Sequence, residues 1–212
     1  MAVRKVVTRS GGHSRGLSPS IKNPIASAWE SQWEQTFGRF LELSPLVREY
    51  AVQPVRESIV VSGISTTYIP DVNVIFVDGS MAYFEVKPAT KCLTTHVASR
   101  LAAIRLHYQK TGQRFYLVTD EWLTQEPRRS NVAQLMHHRR DFLLDTQERL
   151  RLTRTVNAGQ PKTVNDLVGL VGCEKAWLLL GLSIVGIDLE QPLNGESAIL
   201  LTGGHRHANF FS

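Results

Sequence analysis

The stretch that decides the fold is YIPDVNVIFVDGSMAYFEVKPATK, residues 68–91. Most of its residues are β-branched or aromatic, and two runs of them flank the turn signal Asp78-Gly79. This pattern predicts a β-hairpin. The charged residues Asp71, Glu85 and Lys87 interrupt the apolar runs and therefore require a separate explanation.

The length of the turn decides which charged residues share a face of the hairpin. A three-residue loop at 77–79, with Gly79 in the left-handed conformation, puts Asp71 directly opposite Glu85. A two-residue turn instead pairs Asp71 with Val86 and puts the two acids on opposite faces. Glu85 and Lys87 are two residues apart on a strand, so they share a face in either register. The register is therefore itself a prediction.

Two carboxylates that lie close together each raise the cost of ionising the other, unless a cation lies between them. Mg²⁺ is a hard ion that takes oxygen ligands and keeps waters that can attack a phosphodiester. The ammonium of Lys87 would then orient or help deprotonate such a water, or stabilise negative charge on phosphorus. The alternative is a surface hairpin with an exposed Asp71 and a Glu85–Lys87 ion pair, because short patterns of this kind are common.

The composition is that of a globular protein with a basic charge balance. The 212 residues, 42% hydrophobic and 20% charged, suffice for one sizeable core. A net charge of +5 favours a polyanionic partner. No apolar run approaches the roughly 20 residues of a membrane span, and the polar start lacks the apolar core of a secretion signal, so we expect a cytoplasmic protein without a membrane partner. Cys92 and Cys173 stand alone, which indicates neither a disulfide framework nor a cysteine zinc site.

Basic residues concentrate in two stretches, 1–22 and 128–154. Such stretches are commonly solvated charge, and only a second feature favours a nucleic-acid partner. If DNA is the partner, phosphate contacts are expected from basic side chains in or near them. The candidate DNA-contacting residues are Arg15, Lys22, Arg128, Arg129 and, before Pro54, Gln53. For Gln53 the alternatives are a contact with the metal shell and a bond to the backbone.

The order of predicted elements indicates an α/β fold in which helices cover a mixed β-sheet. A helix is predicted from an Asn23 cap and Pro24 to Leu41, and two short strands precede the hairpin. A second helix is predicted over Leu93–Lys110, with Gly112 to stop it, and RFYLVTD after it is predicted to be a buried strand. The stretch 128–150 is predicted to be helical.

We predict four segments along the chain. Residues 1–22 form a basic flexible arm, 23–155 the α/β domain, and 156–203 a small C-terminal module. The module is predicted to contain two helices and two short strands in a winged-helix-like arrangement, with Thr163 capping the first helix through Asp166. The tail 204–212 is expected to be disordered.

Four blocks in this order resemble the TnsA family, the endonuclease subunits of heteromeric, Tn7-like bacterial transposases: RGLSPSIK, WESQWEQTFGRFLELSPLVREYAVQPV, YIPDVNVIFVDG and YFEVKP. The similarity extends from about Arg15 to Asp120. Pro70-Asp71 together with Glu85-Val86-Lys87 is also the PD-(D/E)xK pattern of restriction-like nucleases. The resemblance therefore implies a restriction-endonuclease-like core for residues 23–155 and a metal-dependent DNA endonuclease activity.

The resemblance also implies roles for single residues. Glu34 matches the acid on the helix, Asp71 the central metal ligand, Glu85 the second ligand and Lys87 the catalytic lysine. Glu34, Asp71 and Glu85 are thus the candidate ligands of Mg²⁺, for which Mn²⁺ can substitute. Glu30 lies one helical turn before Glu34 and is the rival for the helix position. Glu42 fits a further acid of the family.

Partners follow from the same resemblance. Members are implied to cut double-stranded DNA at the 5′ ends of a transposon, in the bacterial nucleoid. They act beside a DDE-type transposase, which cuts and joins the 3′ ends, and an AAA+ ATPase regulator. One alternative is a stand-alone phage or defence nuclease of the same superfamily. Another is a catalytically inert DNA-binding assembly protein, against which the four charged residues argue, because packing does not require charges at those positions.

Overall fold

The computed structural model describes residues 15–23, 26–139 and 144–209, and in these ranges the chain divides into two compact units. The first unit comprises the described residues up to Gly38 together with Leu46–Thr124. The second comprises Arg39–Pro45 and the described residues from Gln125 onward. No helix in these ranges is both long enough and apolar enough to cross a bilayer.

The first unit contains all the regular strands of the described residues and four helices. The strands are β1 (Gly16–Ser18), β2 (Ser27–Trp29), β3 (Val47–Val52), β4 (Glu57–Val61), β5 (Ile64–Tyr68), β6 (Val72–Phe76), β7 (Met81–Lys87) and β8 (Arg114–Thr119). The helices are α1 (Gln32–Leu43), whose last residues belong to the second unit, α2 (Ala89–Cys92), α3 (Thr95–Lys110) and α4 (Asp120–Leu123).

A four-stranded mixed sheet forms the centre of the first unit. Its strand order is β3-β6-β7-β8, with antiparallel pairs up to β7 and a parallel β7–β8 pair. A parallel pair needs a crossover connection, and α2 and α3 provide it between β7 and β8. The sheet confirms the predicted α/β class, since a mixed sheet flanked by helices is consistent with a restriction-endonuclease-like core.

The hairpin has the three-residue loop. Val72 pairs with Phe84, and at the end of the hairpin the N–H of Phe76 donates to the carbonyl of Ser80 at 2.9 Å. Residues 77–79 form the loop, and Gly79 has φ +82°, a conformation that costs a side-chain-bearing residue free energy. The register prediction is therefore confirmed, and its continuation by one step puts Asp71 opposite Glu85.

Helices pack on both faces of β7. Phe84 is fully buried, and its ring contacts Phe37 of α1 with 5.2 Å between ring centroids. On the other face Tyr83 stacks on Tyr108 of α3 at 4.8 Å. The predicted helix ending before Gly112 is confirmed, with its first residue at Thr95. Burial of such aromatic rings stabilises the fold by about 1.5–3 kcal/mol each.

The predicted start of the first helix is wrong. α1 begins at Gln32, because the N–H of Glu34 donates to the Ser31 hydroxyl at 3.1 Å and the Glu34 carboxylate accepts the N–H of Glu30 at 2.8 Å. A serine followed three residues later by glutamate is a helix-start signal that the prediction overlooked. Asn23 instead accepts the N–H of Tyr50, and Pro24 lies outside the described residues.

The second unit contains the end of α1 and four further helices, α5 (Arg128–His138), α6 (Thr146–Gly159), α7 (Val164–Val171) and α8 (Cys173–Gly181). The stretch 128–150 thus holds two helices, and residues 140–143 between them lie outside the described residues. The predicted cap is confirmed, since the Thr163 hydroxyl and the Asp166 carboxylate each accept the other residue's backbone N–H.

In place of the two strands predicted after α8, the structure has isolated β-bridges. Gly186 bridges Leu200, and Thr163 bridges Ala198. The winged-helix-like arrangement of residues 156–203 stays a prediction. The predicted boundary between residues 155 and 156 falls inside α6.

Parts of the two segments predicted to be flexible have defined contacts among the residues that the structure describes. His205, in the expected tail, is only 1% exposed; its Nε2–H donates to the Leu180 carbonyl at 2.9 Å, and its Nδ1 accepts the N–H of Ile187 at 3.2 Å. In the expected arm, β1 pairs with β2. Residues 1–14 of the arm and 210–212 of the tail lie outside the described residues.

Candidate active site

The hairpin brings Asp71, Glu85 and Lys87 together. Asp71 precedes β6, and its Oδ2 accepts the backbone N–H of Val86 at 2.8 Å, so the backbone of β7 fixes this carboxylate beside Glu85. Glu85 is 5% exposed, and its Oε1 lies 2.5 Å from Nζ of the half-buried Lys87. The predicted alternative combined this Glu85–Lys87 ion pair with an exposed Asp71; the ion pair is present, but Asp71 is half-buried.

The charges of this cluster act strongly on one another. Burial, and then the negative charge of Glu85, raise the pKa of Asp71 well above its ordinary value, although Lys87 opposes the shift. Burial alone would lower the pKa of Lys87, but the charges of Asp71 and Glu85 outweigh it and raise that pKa. Two carboxylates thus share one ammonium, and a bound cation would relieve the remaining repulsion.

Glu34 lies near this cluster, at the start of α1. Its Oε2 accepts the N–H of Glu30 at 2.8 Å and its Oε1 accepts the Ser31 hydroxyl at 3.1 Å. Burial raises its pKa despite these bonds. Its charge acts on both Asp71 and Lys87, so the structure brings Glu34 into the electrostatic neighbourhood of the hairpin acids. The same carboxylate also caps the helix.

Gln53 connects the rival acid Glu30 to the hairpin. It is 4% exposed and has φ +46°, which is uncommon for a residue with a side chain. Its Nε2 donates to Oε2 of Glu30 at 3.1 Å, and its backbone N–H donates to the Asp71 carbonyl at 2.9 Å. Both contacts hold the site in place, and this burial does not favour the predicted DNA contact of Gln53.

Tyr68 is the site residue that sequence reasoning missed. Its hydroxyl donates to Oε2 of Glu85 at 2.8 Å, and both side chains are buried. In the sequence Tyr68 is one aromatic among many in strand-like runs. No local pattern could have singled it out, because the contact depends on how β5 lies against β7.

Glu42, which fits a further acid of the family, belongs to the second unit and has a structural partner there. Its carboxylate forms an ion pair with Arg139, and both side chains are almost fully buried. A buried carboxylate needs such a partner, so packing and charge pairing account for this acid.

The candidate DNA-contacting residues differ in what they contact. Lys22 donates to the Val47 carbonyl at 2.8 Å, and Arg15 is half-buried. Arg128 is 4% exposed and its guanidinium donates to the Gln125 side chain at 2.6 Å, so this side chain lies in the interior of the second unit. Its neighbour Arg129 is exposed and is better placed for a phosphate.

The donor set suits a magnesium ion held by two carboxylates. In residues 15–23, 26–139 and 144–209, no three His, Cys, Asp or Glu side chains are grouped so as to hold a metal ion. Mg²⁺ is commonly held by one or two carboxylates and keeps several waters. Asp71 and Glu85 provide two such groups, and Glu34 provides a nearby third acid.

Residues 44–120 match the family model described as TnsA-like endonuclease N terminal. The matched range contains the whole hairpin with Asp71, Glu85 and Lys87, whereas Glu34 lies before it. No curated protein matches the chain significantly.

Proposed function

We propose, from the match of residues 44–120 to the model of the TnsA-like endonuclease N-terminal domain, that this protein is a metal-dependent DNA endonuclease that acts as a subunit of a Tn7-like transposase. The observation that carries the proposal is the buried Glu85, ion-paired with Lys87, beside the half-buried Asp71. Two neighbouring carboxylates that share one ammonium repel each other, unlike the matched Glu42–Arg139 pair, and such clusters are enriched at functional sites.

Asp71 and Glu85 would hold Mg²⁺ or Mn²⁺, with Glu34 as the nearby third acid. When bound, the ion would supply an activated water and stabilise charge on the phosphate. Asp71 is prepared for this role because its carboxylate is fixed by the N–H of Val86. Lys87, on the same face as Glu85, would donate from its ammonium to a non-bridging phosphate oxygen, where negative charge develops during hydrolysis.

The substrate would be double-stranded DNA at the ends of a transposon, cut at the 5′ ends. A DDE-type transposase and an AAA+ ATPase regulator would be its partners, as the family resemblance implies. The exposed Arg129 and the basic residues near the N-terminus would contribute salt-dependent phosphate contacts rather than sequence choice.

Metal binding is the first test. Calorimetric titration of the wild type with Mg²⁺ and with Mn²⁺ is expected to show binding that Asp71→Ala abolishes. Asp78→Ala is the matched control, because Asp78 is an exposed acid in the loop of the same hairpin. Equal binding by the wild type and Asp71→Ala, or no binding by either, would mean that the hairpin acids are structural.

Cleavage is the second test and separates the candidate roles. Nicking of DNA with candidate transposon ends is measured with and without the neighbouring transposase, and Lys87→Ala serves as the inactive variant. Cleavage that needs the transposase supports the subunit role. Cleavage by the protein alone supports a stand-alone nuclease, and metal binding without cleavage in either mixture supports an inert assembly protein.

A further inference from the structure

The two oxygens of the Glu85 carboxylate have different partners. Oε2 accepts the Tyr68 hydroxyl at 2.8 Å, whereas Oε1 lies 2.5 Å from the ammonium of Lys87. Lys87 in turn is acted on by the charges of Asp71 and Glu34. Oε1 therefore lies on the side of Lys87, and Oε2 lies on the side of the core cluster that contains Tyr68.

We propose that Tyr68 is a positioning residue that holds Oε2 of Glu85 and thereby favours Mg²⁺ over Ca²⁺. The metal ion is then left only Oε1, which the half-buried Lys87 ammonium gives up when the ion binds. The inference rests on the proposed function, since it takes Glu85 to be a metal ligand. It adds the means by which the site selects among divalent ions.

Packing prevents the Tyr68 side chain from leaving Oε2. Tyr68 is 2% exposed and lies in a core cluster with Ile59, Leu101, Ile104 and Tyr108. Its ring meets Tyr108 edge to face, with 6.4 Å between centroids. A phenol is protonated at neutral pH and a carboxylate only accepts, so the Tyr68 hydroxyl is the donor of this bond.

The coordination preferences of the two ions explain how the Tyr68–Glu85 hydrogen bond would favour Mg²⁺ over Ca²⁺. Ca²⁺ takes more oxygen ligands than Mg²⁺ and often binds both oxygens of one carboxylate, whereas Mg²⁺ prefers an octahedral shell with single-oxygen contacts. For Glu85 to bind with both oxygens, Oε2 must give up the Tyr68 hydroxyl. That hydroxyl would then remain buried without an acceptor, which is costly.

Tyr68→Phe removes only the hydroxyl and tests the proposal. Binding of Mg²⁺ and of Ca²⁺ is measured by calorimetry on the wild type, Tyr68→Phe and Tyr83→Phe. Tyr83 is the matched control because it lies in the same aromatic cluster, two residues before Glu85, and its ring stacks on Tyr108.

In Tyr68→Phe we expect the ratio of Mg²⁺ affinity to Ca²⁺ affinity to fall about tenfold, the size of effect that partners of metal ligands commonly have. Tyr83→Phe is expected to keep the wild-type ratio. If the role of Tyr68 is only structural, Tyr68→Phe would lower the affinities for both ions by the same factor. An unchanged ratio in Tyr68→Phe therefore overturns the inference.

An infrared measurement on the wild type is independent of whether Tyr68→Phe folds. The difference spectrum of the Ca²⁺-loaded and metal-free protein reports carboxylate coordination, and the bands lost in Glu85→Gln belong to Glu85. We expect the wide frequency separation between the two carboxylate stretching bands that single-oxygen coordination gives. The narrow separation of two-oxygen coordination would overturn the inference.

A wild type that binds neither ion would overturn the proposed function itself, whereas metal binding with an unchanged ratio of affinities overturns only the role of Tyr68.

Discussion

Asp71 lies opposite Glu85 across the hairpin, one step beyond the paired residues Val72 and Phe84. The N–H of Val86 holds the Asp71 carboxylate in this position, even though the charge of Glu85 raises its pKa. The fold therefore maintains a repulsive pair of acids. Such strain is expected where a site is prepared for a cation, and it has consequences for stability.

Asp71→Asn is expected to stabilise the metal-free protein at pH 7.5 by about 1 kcal/mol or more, because a neutral amide removes both the cost of burying the charge and the repulsion by Glu85, which together raise the pKa of Asp71. Asp78→Asn is expected to lower the free energy of unfolding, since the Asp78 carboxylate accepts hydrogen bonds from the N–H and hydroxyl of Ser80. Urea unfolding of both variants in a chelating buffer measures the difference. Destabilisation of Asp71→Asn to the level of Asp78→Asn would contradict the prediction.

Gly79→Ala is expected to destabilise the protein by about 1 kcal/mol, because alanine adopts a left-handed φ such as the +82° of Gly79 only with strain. Gly79→Asn should cost less, since asparagine tolerates this region. Gly38→Ala is the control: Gly38 lies within α1 and an added Cβ meets nothing within 4 Å, so a gain in stability is expected. Thermal unfolding of the three variants is the measurement. Equal losses of stability in all three would show that the φ of Gly79 is not the cause.

Removal of one partner of the buried Glu42–Arg139 pair is expected to cost about 3–5 kcal/mol, because the other charge is left buried alone. Glu42→Leu and Arg139→Met are compared with the double variant by urea unfolding. The double variant should regain most of the loss and keep metal binding, if Glu42 is structural. Loss of metal binding by a folded double variant would instead make Glu42 an acid of the site.

The second unit is expected to lose stability as the pH falls from 6.5 toward 4. Burial lowers the pKa of His205 to about 4, so the folded state holds this imidazole neutral while the unfolded state protonates it near its ordinary value. The stabilising contribution is complete above pH 6.5. About 2 kcal/mol of it should be lost at pH 5.

Urea unfolding at pH 7.5 and pH 5 measures this loss. His205→Gln should remove that part of the pH dependence, whatever its effect at pH 7.5. His207→Gln is the control, because His207 is exposed and paired with Asp188, and it should keep the dependence. The same pH dependence in wild type and His205→Gln would assign the loss to other groups.

The sequence predictions that differ from the structure have two causes. Either two local signals competed, or the structure depends on contacts between residues far apart in the chain. At the start of the first helix two local signals compete, Asn23 and the pair Ser31 and Glu34, and the helix begins at the second. The expected tail was read as disordered because its burial depends on Leu180 and Ile187, which precede it by many residues.

By itself, the sequence determined the hairpin and limited its register to two alternatives. The two-residue alternation of a strand puts Glu85 and Lys87 on one face in either register. The structure has the three-residue loop closed by the left-handed Gly79, which brings Asp71 opposite Glu85. The tertiary structure alone decided which partners these acids have. The Tyr68 bond to Glu85 depends on how β5 lies against β7, and the ion pair of Glu42 joins residues 97 positions apart. Such contacts are fixed by the packing of whole elements, which no local pattern encodes.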